Sequence, residues 1–136
     1  MYKNILVPVA LDHGLSPKTL SIARKLAEPD AAIVALHVHE EPEHSVRAYV
    51  DQTLMQKAYE TANTLLHEKI DGHDGVTAEI VQGHTYRSII DYAQTHGIDC
   101  IVMGSHKPGL SDYLLGSTAA RVVRHASCAV HVYRSS

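Results

Sequence analysis

Residues 104–126 read GSHKPGLSDYLLGSTAARVVRHA, and this stretch raises the first question about the chain. The glycine at 104 lets a ligand approach the backbone, and Gly116, Ser117 and Thr118 bring N–H groups and hydroxyls to the start of an amphipathic helix. The stretch is either a phosphate-binding loop or an ordinary strand-to-helix connection capped by a serine. Its spacing alone favours the ordinary connection, and no Walker-type G-K-[ST] follows the preceding strand.

Outward from this stretch, apolar segments alternate with amphipathic segments along the whole chain. Near-continuous apolar runs are typical of strands covered on both faces, and apolar residues at i, i+3 and i+4 are typical of helices. The resulting β-α-β-α-β-α-β-α-β order predicts the α/β class, as one domain over residues 1–136. We expect an open five-stranded parallel sheet, Rossmann-like, with helices on both faces. The predicted strands are residues 4–11, 31–38, 76–83, 99–105 and 128–134, and the predicted helices begin near residues 17, 46, 86 and 117.

Two of the helices carry specific predictions. The first is predicted to begin at Pro17 after a Ser16 N-cap and to stop at Pro29, with Ala27 on its apolar face. The longest is predicted to run from residue 46 to about residue 70, because an unbroken i, i+4 row of apolar side chains passes through it. The members of that row are Val46, Val50, Leu54, Ala58, Ala62, Leu66 and Ile70.

Charge and composition argue against several classes of protein. The 12 lysines and arginines are outnumbered by 15 aspartates and glutamates, and no basic stripe with interleaved aromatic residues is present, which disfavours a nucleic-acid binder. No apolar run approaches the ~20 residues that cross a bilayer, and the first residues lack signal-peptide features, so we expect a cytoplasmic protein without membrane contact. Cys100 and Cys128 are expected to be reduced, buried thiols.

Ligands of parallel sheets bind outside the carboxyl ends of the strands, where the strand order reverses. Three predicted turns follow strands and are candidates to meet there. They are ALDHG at residues 10–14, VHEEP at residues 38–42, and the glycine-containing stretch at residues 104–118.

The sequence resembles the universal stress protein family over its whole length. The resemblance is carried by YKNILVPV at residues 2–9, ALHV at residues 35–38 and MGSHKPGLSDYLLGSTAARVVRHASCAVHVYR at residues 103–134. It implies the adenine nucleotide alpha hydrolase-like form of the parallel sheet, and it implies ATP as the ligand, with or without Mg²⁺.

The nucleotide-binding branch of that family carries the loop pattern Gly-x2-Gly-x9-Gly-[Ser/Thr]. Gly104, Gly116 and Ser117 match its first glycine, its last glycine and its hydroxyl. Lys107 stands at the middle glycine, Gly109 follows two residues later, and the interval from Gly104 to Gly116 is one residue short. The chain is similar in this respect to a subgroup with a shortened loop whose members carry ATP, and Lys107 is a candidate cation for the phosphates.

A second departure from the family pattern lies after the first strand. Relatives that bind nucleotides commonly carry an aspartate two residues beyond the proline of that strand, and Ala10 stands at this place. Either Asp12 substitutes from a slightly different turn, or one polar contact is lost. The resemblance also implies that the Val38 backbone faces the edge of the adenine. The implied nucleotide-binding residues are Pro8, Val9, Ala10, Asp12, Val38, Met103, Gly104, His106, Lys107, Gly109, Gly116, Ser117 and Thr118.

The chain has 11 histidines, and His37 and His39 share one strand face just before Glu40. A zinc or nickel site could be assembled from such imidazoles and carboxylates. An i, i+2 histidine pair without further fixed ligands nevertheless favours an ordinary strand followed by a solvated acidic turn, and no metal site is predicted. His106 falls inside the presumed phosphate loop, where a role near phosphates is the alternative to simple exposure.

No catalytic residue is assigned, because the chain has no Gly-x-Ser-x-Gly elbow and no cysteine in a recognisable nucleophile setting. The predicted function is nucleotide-dependent regulation in the stress response, read by a protein partner. Two alternatives stay open. One is a nucleotide-free adaptor of the same fold, indicated by Ala10 and the missing middle glycine, and the other is a weak ATPase or autokinase that modifies Ser117 or Thr118.

Residues 128–134 come last in an open sheet and are predicted to form an edge strand. Charged side chains on an edge strand oppose pairing with another chain, and this strand has few of them beside its valines and tyrosine. Two copies could therefore pair these strands antiparallel about a two-fold axis. Similar family members associate in this way, and we expect a homodimer.

Overall fold

The computed structural model describes residues 1–11, 17–40, 49, 51–105 and 115–134. Strands and helices alternate along these residues, which confirms the predicted fold class. The strands are β1 (Tyr2–Pro8), β2 (Ala27–His39), β3 (Val76–Gln82), β4 (Cys100–Gly104) and β5 (Ala129–Tyr133). The helices are α1 (Pro17–Leu26), α2 (Gln52–Ile70), α3 (Thr85–Thr95) and α4 (Ser117–His125).

The five strands form one sheet in the order β3-β2-β1-β4-β5, and all neighbouring strands are parallel. The chain therefore builds outward from β1 to β3 on one side, then crosses back and builds β4 and β5 on the other side. The strand order reverses between β1 and β4, which are neighbours at the centre of the sheet. In open parallel sheets this reversal is the place where a crevice forms.

Helices cover both faces of the sheet, as the near-continuous apolar runs predicted. On one face, Ile5 and Val7 of β1 pack in a cluster with Leu20 of α1 and Leu66 of α2. On the other face, the alternate residues of the central strands pack in a second cluster with α3 and α4. Among the described helices, none is long and apolar enough to cross a membrane.

The boundary predicted between α1 and β2 is wrong. The helix ends at Leu26, and Ala27, which was expected on its apolar face, already pairs with Tyr2 as the first residue of β2. The β1–β2 register then shifts before the next pair, Asn4 with Ala32, and Pro29 lies inside this irregular stretch. Because proline has no N–H to donate to a ladder, it fits a bulge and need not mark the end of a helix.

The apolar row of α2 is buried only toward its C-terminal end. The described helix begins at Gln52 after an Asp51 N-cap that accepts from the Thr53 N–H at 2.9 Å, and the predicted start at residue 46 lies outside the described residues. Tyr59 contacts His39, the last residue of β2, so the turns of α2 before Tyr59 project past the carboxyl edge of the sheet. The row continues there without sheet beneath it.

Asp99 fixes the amino end of the central strand. Its carboxylate accepts from the backbone N–H groups of Lys3 and Asn4 at 2.9 and 3.0 Å, and its own N–H donates to the Asn4 carbonyl at 3.0 Å. Hydrogen bonds to a charged group are stronger than neutral ones. The register of β1 against the turn that enters β4 is therefore set at this end of the sheet.

The burial gradient along α2 gives a matched stability test. We expect Leu66→Ala, at a side chain that is 0% exposed, to lower the free energy of unfolding by about 2–5 kcal/mol, because it leaves a cavity in the core. Leu54→Ala removes the same atoms from a side chain that is 62% exposed and should change stability by no more than about 0.5 kcal/mol. Urea unfolding followed by circular dichroism measures both. Equal losses would mean that the N-terminal turns of α2 are packed after all.

Candidate ligand site at the carboxyl edge of the sheet

A gap opens between the two central strands at their carboxyl ends. The β1–β4 ladder pairs Ile5 with Cys100 and Leu6 with Ile101 and goes no further, although β1 continues to Pro8 and β4 continues to Gly104. This divergence lies at the reversal of strand order. The β1–β4 ladder therefore ends at the edge where ligands of this sheet type bind.

The backbone of Val38 points toward β1 at the same edge of the sheet. Within β2, the Leu36 carbonyl accepts from the Val9 N–H at 2.8 Å, toward β1, whereas the His39 carbonyl accepts from the Gly83 N–H at 3.2 Å, beyond the end of β3. Backbone groups of a strand between parallel neighbours alternate in direction, so the N–H and C=O of Val38 point toward β1, beyond its last paired residue. The Val38 side chain is buried against the α3 and α4 side.

The His37 side chain contacts the main chain just after the end of β1. Its Nδ1 lies 3.0 Å from the Val9 carbonyl oxygen. Its ring has an edge contact with His39, which in turn has an edge contact with Tyr59 of α2. Among the described residues, no group of three or more potential metal-ligating side chains is present.

Ser105 joins the end of β4 to the start of α4. Its carbonyl accepts from the Gly116 N–H at 3.0 Å, and its N–H donates to the Tyr133 carbonyl at 2.8 Å. Gly116 is the N-cap of α4, and the first N–H groups of a helix have no partner within the helix. Ser105 therefore holds a helix N-terminus, where anions are favoured, at the carboxyl edge of the sheet.

The backbone of Gly104 is open to approach. The residue is exposed, and a Cβ built on it would meet no heavy atom of the described residues within 4 Å. Packing against the part of the chain that the structure describes therefore does not account for a glycine at this position. An open backbone at the end of a central strand fits a surface that a ligand covers.

The described members of the predicted site all lie at this edge, with different parts available to a ligand. Ala10 and Ser117 are exposed, but the Met103 side chain is buried among α3 and α4, so only its backbone borders the gap. The remaining described members are Pro8, Val9, Val38, Gly104, Gly116 and Thr118. Four predicted residues, Asp12, His106, Lys107 and Gly109, lie outside the described residues.

Three contributors at this edge were not predicted. Ser105 and His37 act by hydrogen bonds to or from the main chain, which no residue pattern marks. Lys18 places its ammonium 5.9 Å from the centre of the Tyr133 ring, and Tyr133 pairs with Gly104 in the sheet. Lys18 therefore brings a cation to the carboxyl end of the β4–β5 ladder. A lysine in the first turn of a helix gives no sequence signal of this role.

A shallow concave surface lies at the other end of the molecule, beside the last turns of α2. Because α2 leads from there into the first residue of β3, this surface borders the amino edge of the sheet, where parallel sheets do not usually bind ligands. Its lining residues are Asn63, Thr64, His67, Glu68, Ile70, Asp71 and Gly72.

Neither thiol has the environment of a catalytic nucleophile. Burial raises the pKa of the Cys100 thiol to about 11, and burial also raises the pKa of the Cys128 thiol. Cys100 packs with the cluster on the α1 and α2 side, whereas Cys128 packs against the cluster on the opposite face. A thiol that remains protonated at neutral pH is a poor nucleophile.

The chain belongs to the universal stress protein family, whose family model matches residues 1–134. Universal stress protein G of Escherichia coli O157:H7 is 32% identical, over 98% of this chain and 100% of its own length. Universal stress protein G of Salmonella typhimurium is 33% identical over the same shares. The chain is thus similar along its entire length to curated members of the family.

Solved structures agree with this assignment. Universal stress protein UspA from Lactobacillus plantarum is 27% identical with a TM-score of 0.69, covering 98% of each chain. A universal stress protein in complex with cAMP is 19% identical with a TM-score of 0.68, covering 99% of each chain. A family protein from Arabidopsis thaliana with AMP bound is 17% identical with a TM-score of 0.60, covering 98% of this chain and 92% of its own. At these lower identities the likeness concerns the fold.

The two thiols should differ in reactivity. We expect iodoacetamide to label Cys128, which is half-buried, well before Cys100, which is 1% exposed and has the pKa raised to about 11. Because the two residues face opposite sides of the sheet, mild oxidation should form no disulfide between them. Mass spectrometry of peptides from native and urea-unfolded protein measures both outcomes. Equal labelling in the native protein, or a Cys100–Cys128 crosslink, would contradict the burial described here.

Proposed function

We propose that this chain binds an adenine nucleotide, with ATP as the full ligand and with or without Mg²⁺, in the gap between β1 and β4. The bound form then acts in the cytoplasm as a regulatory module that a protein partner reads. The observation that carries the proposal is the presence of two features at one edge. They are the Val38 backbone, which lies beyond the last pair of the β1–β2 ladder, and the N-terminus of α4.

The Val38 backbone suits adenine in particular. One residue presents an N–H donor and a C=O acceptor on the same side, and adenine offers acceptor nitrogens beside its exocyclic amine donor. Guanine presents an oxygen acceptor where adenine has that amine, which would face the Val38 carbonyl with no hydrogen between them. Adenine nucleotides should therefore bind more tightly than guanine nucleotides.

The phosphates are assigned to the N-terminus of α4. Its free N–H groups and dipole favour negative charge, the hydroxyls of Ser117 and Thr118 are adjacent, and the open Gly104 backbone lets the ligand approach. Lys18 adds a cation at the carboxyl end of the β4–β5 ladder. By the family resemblance, His106 and Lys107 belong to the same phosphate region, and Asp12 takes over the polar role that Ala10 cannot fill.

The ligands of the solved relatives support recognition of the adenine base more than they support binding of a triphosphate. The relatives that hold cAMP and AMP share adenine and differ in their phosphate groups. A common base with a variable phosphate fits a site in which the sheet edge recognises adenine. The triphosphate is our proposal, and it rests on the loop resemblance around Gly104 and Gly116.

We also propose that the chain forms a homodimer through β5. This strand is the edge of the sheet beside β4, and the Ser105 N–H donates to the Tyr133 carbonyl, so odd-numbered residues of β5 bond inward. The N–H and C=O groups of Val130 and Val132 therefore point away from β4 and are available to a second copy.

Ser117→Glu should abolish ATP binding without unfolding the protein. A carboxylate at the first position of α4 interacts favourably with the helix dipole, so the fold keeps its stability, but it repels phosphate oxygens from the same place. Ser127→Glu is the matched control, because this exposed serine lies beyond the other end of α4. Isothermal titration calorimetry with ATP, AMP and GTP measures the affinities.

Retention of full ATP affinity in Ser117→Glu would move the phosphates away from α4. Mass spectrometry of gently denatured parent protein adds an independent reading, because co-purified adenine nucleotide would be released. If the parent releases no nucleotide and binds none in solution, the nucleotide-free adaptor becomes the correct description. Steady phosphate release above background would instead support a weak ATPase.

Val130→Pro should convert the dimer into a folded monomer. Proline removes an N–H that points to the free edge and leaves the ladder to β4 intact, a position that edge strands tolerate. Val130→Ala is the control, because it trims the same side chain and keeps the N–H, and it should remain dimeric. Sedimentation equilibrium at micromolar concentration distinguishes the two. A monomeric parent, or a dimeric proline variant, would contradict pairing through β5.

A further inference from the structure

His37 stands where the ladder between β1 and β2 ends one bond early. In a parallel ladder, the Val9 N–H donation to the Leu36 carbonyl would be followed by donation from the Val38 N–H to the Val9 carbonyl. The last paired residues are Pro8 and Leu36, and this next backbone bond is not made between the described residues. The Val9 carbonyl accepts instead from the His37 Nδ1 at 3.0 Å.

The chemistry of this contact fixes the proton on His37. A carbonyl oxygen only accepts, so Nδ1 must carry the hydrogen, and a neutral His37 ring has an unprotonated Nε2. The ring also has an edge contact with a second imidazole. Its centroid lies 6.4 Å from that of His39, and the His39 centroid lies 5.8 Å from that of Tyr59 at an interplanar angle of 88°. The half-buried imidazole is therefore braced between the end of β1 and α2.

We propose that His37 is a positioning residue for the base-binding edge. A carbonyl oxygen can accept two hydrogen bonds, so the imidazole acts by direction. It holds the Val9 carbonyl toward its own ring and out of line with the Val38 N–H, which stays available to a ligand. The ligand role of Val38 rests on the proposed function, whereas the competition for the Val9 carbonyl is a property of the protein alone. The two can therefore fail separately.

Without the imidazole, the strands can close by one further hydrogen bond. A nucleotide would then have to break a protein hydrogen bond before it could form its own to Val38. One ordinary hydrogen bond corresponds to a factor of about five in affinity. The expected effect is thus a modest, specific loss of affinity with no loss of folded protein.

Two substitutions separate this role from simple packing. His37→Leu fills the space but has no donor, whereas His37→Asn places an amide N–H close to the position of Nδ1 and can still donate to the Val9 carbonyl. The first test needs no ligand: amide hydrogen exchange followed by NMR. We expect the Val38 amide to exchange about five-fold more slowly in His37→Leu than in the parent, and at the parental rate in His37→Asn. The Leu36 amide is the internal control and should not change.

The second test adds the ligand, with ATP and AMP titrated calorimetrically into the three proteins. His37→Leu should bind both about five-fold more weakly, and His37→Asn should bind like the parent. If the parent binds neither nucleotide, the proposed function fails while the exchange experiment still decides the role of His37. If the Val38 amide exchanges equally in all three proteins, the positioning role is overturned.

A measurement on the unmodified protein covers the case in which His37→Leu does not fold. Nitrogen-15 NMR of the parent distinguishes the two neutral imidazole tautomers, and the proposal requires the hydrogen of His37 on Nδ1. A signal from the tautomer protonated on Nε2 alone would overturn it.

Discussion

The hydrogen bonding of β1 is the constraint on which the rest of the structure depends. This strand is central, and its middle residues Ile5, Leu6 and Val7 are fully buried between helices on both faces. Its amino end is fixed by the Asp99 carboxylate. At its carboxyl end, the ladder to β4 stops first and the ladder to β2 continues to Pro8. One strand thus joins both halves of the sheet and opens the gap between them.

The gap follows from topology as much as from any side chain. The helix that follows β1, α1, packs on one face of the sheet, and the helix that follows β4, α4, packs on the opposite face. In open parallel sheets a crevice forms where the helices that follow two neighbouring strands lie on opposite faces. Ser105 then brings the start of α4 back to this edge through two backbone hydrogen bonds. A helix N-terminus and an unpaired strand edge meet as a consequence.

The sequence was sufficient for the order of elements and for the edge at which they meet, because buried parallel strands and amphipathic helices leave distinct apolar patterns. It was insufficient at Ala27, since an apolar residue continues a helical face and begins a buried strand equally well. It also could not place the turns of α2 beyond the sheet, because the row through Leu54 keeps its period whether or not anything covers it. The prediction of a nucleotide ligand rested on the family resemblance.

The features at Val38 and Ser105 consist of backbone groups, and the residue pattern alone marked neither of them; the Val38 backbone was predicted only from the family resemblance. Every residue except proline carries an N–H and a C=O, so their use in a site leaves no trace in composition or spacing.

The use of backbone groups also explains how the proposed site can tolerate departures from the family pattern such as Ala10. If adenine is recognised by the Val38 backbone and the phosphates by the N-terminus of α4, no single side chain supplies most of the binding. A carboxylate at residue 10 would add one polar contact, and its absence also removes a negative charge from an edge proposed to receive phosphates. Side chains at this edge can therefore vary, provided that the strands still diverge and Ser105 still holds the helix.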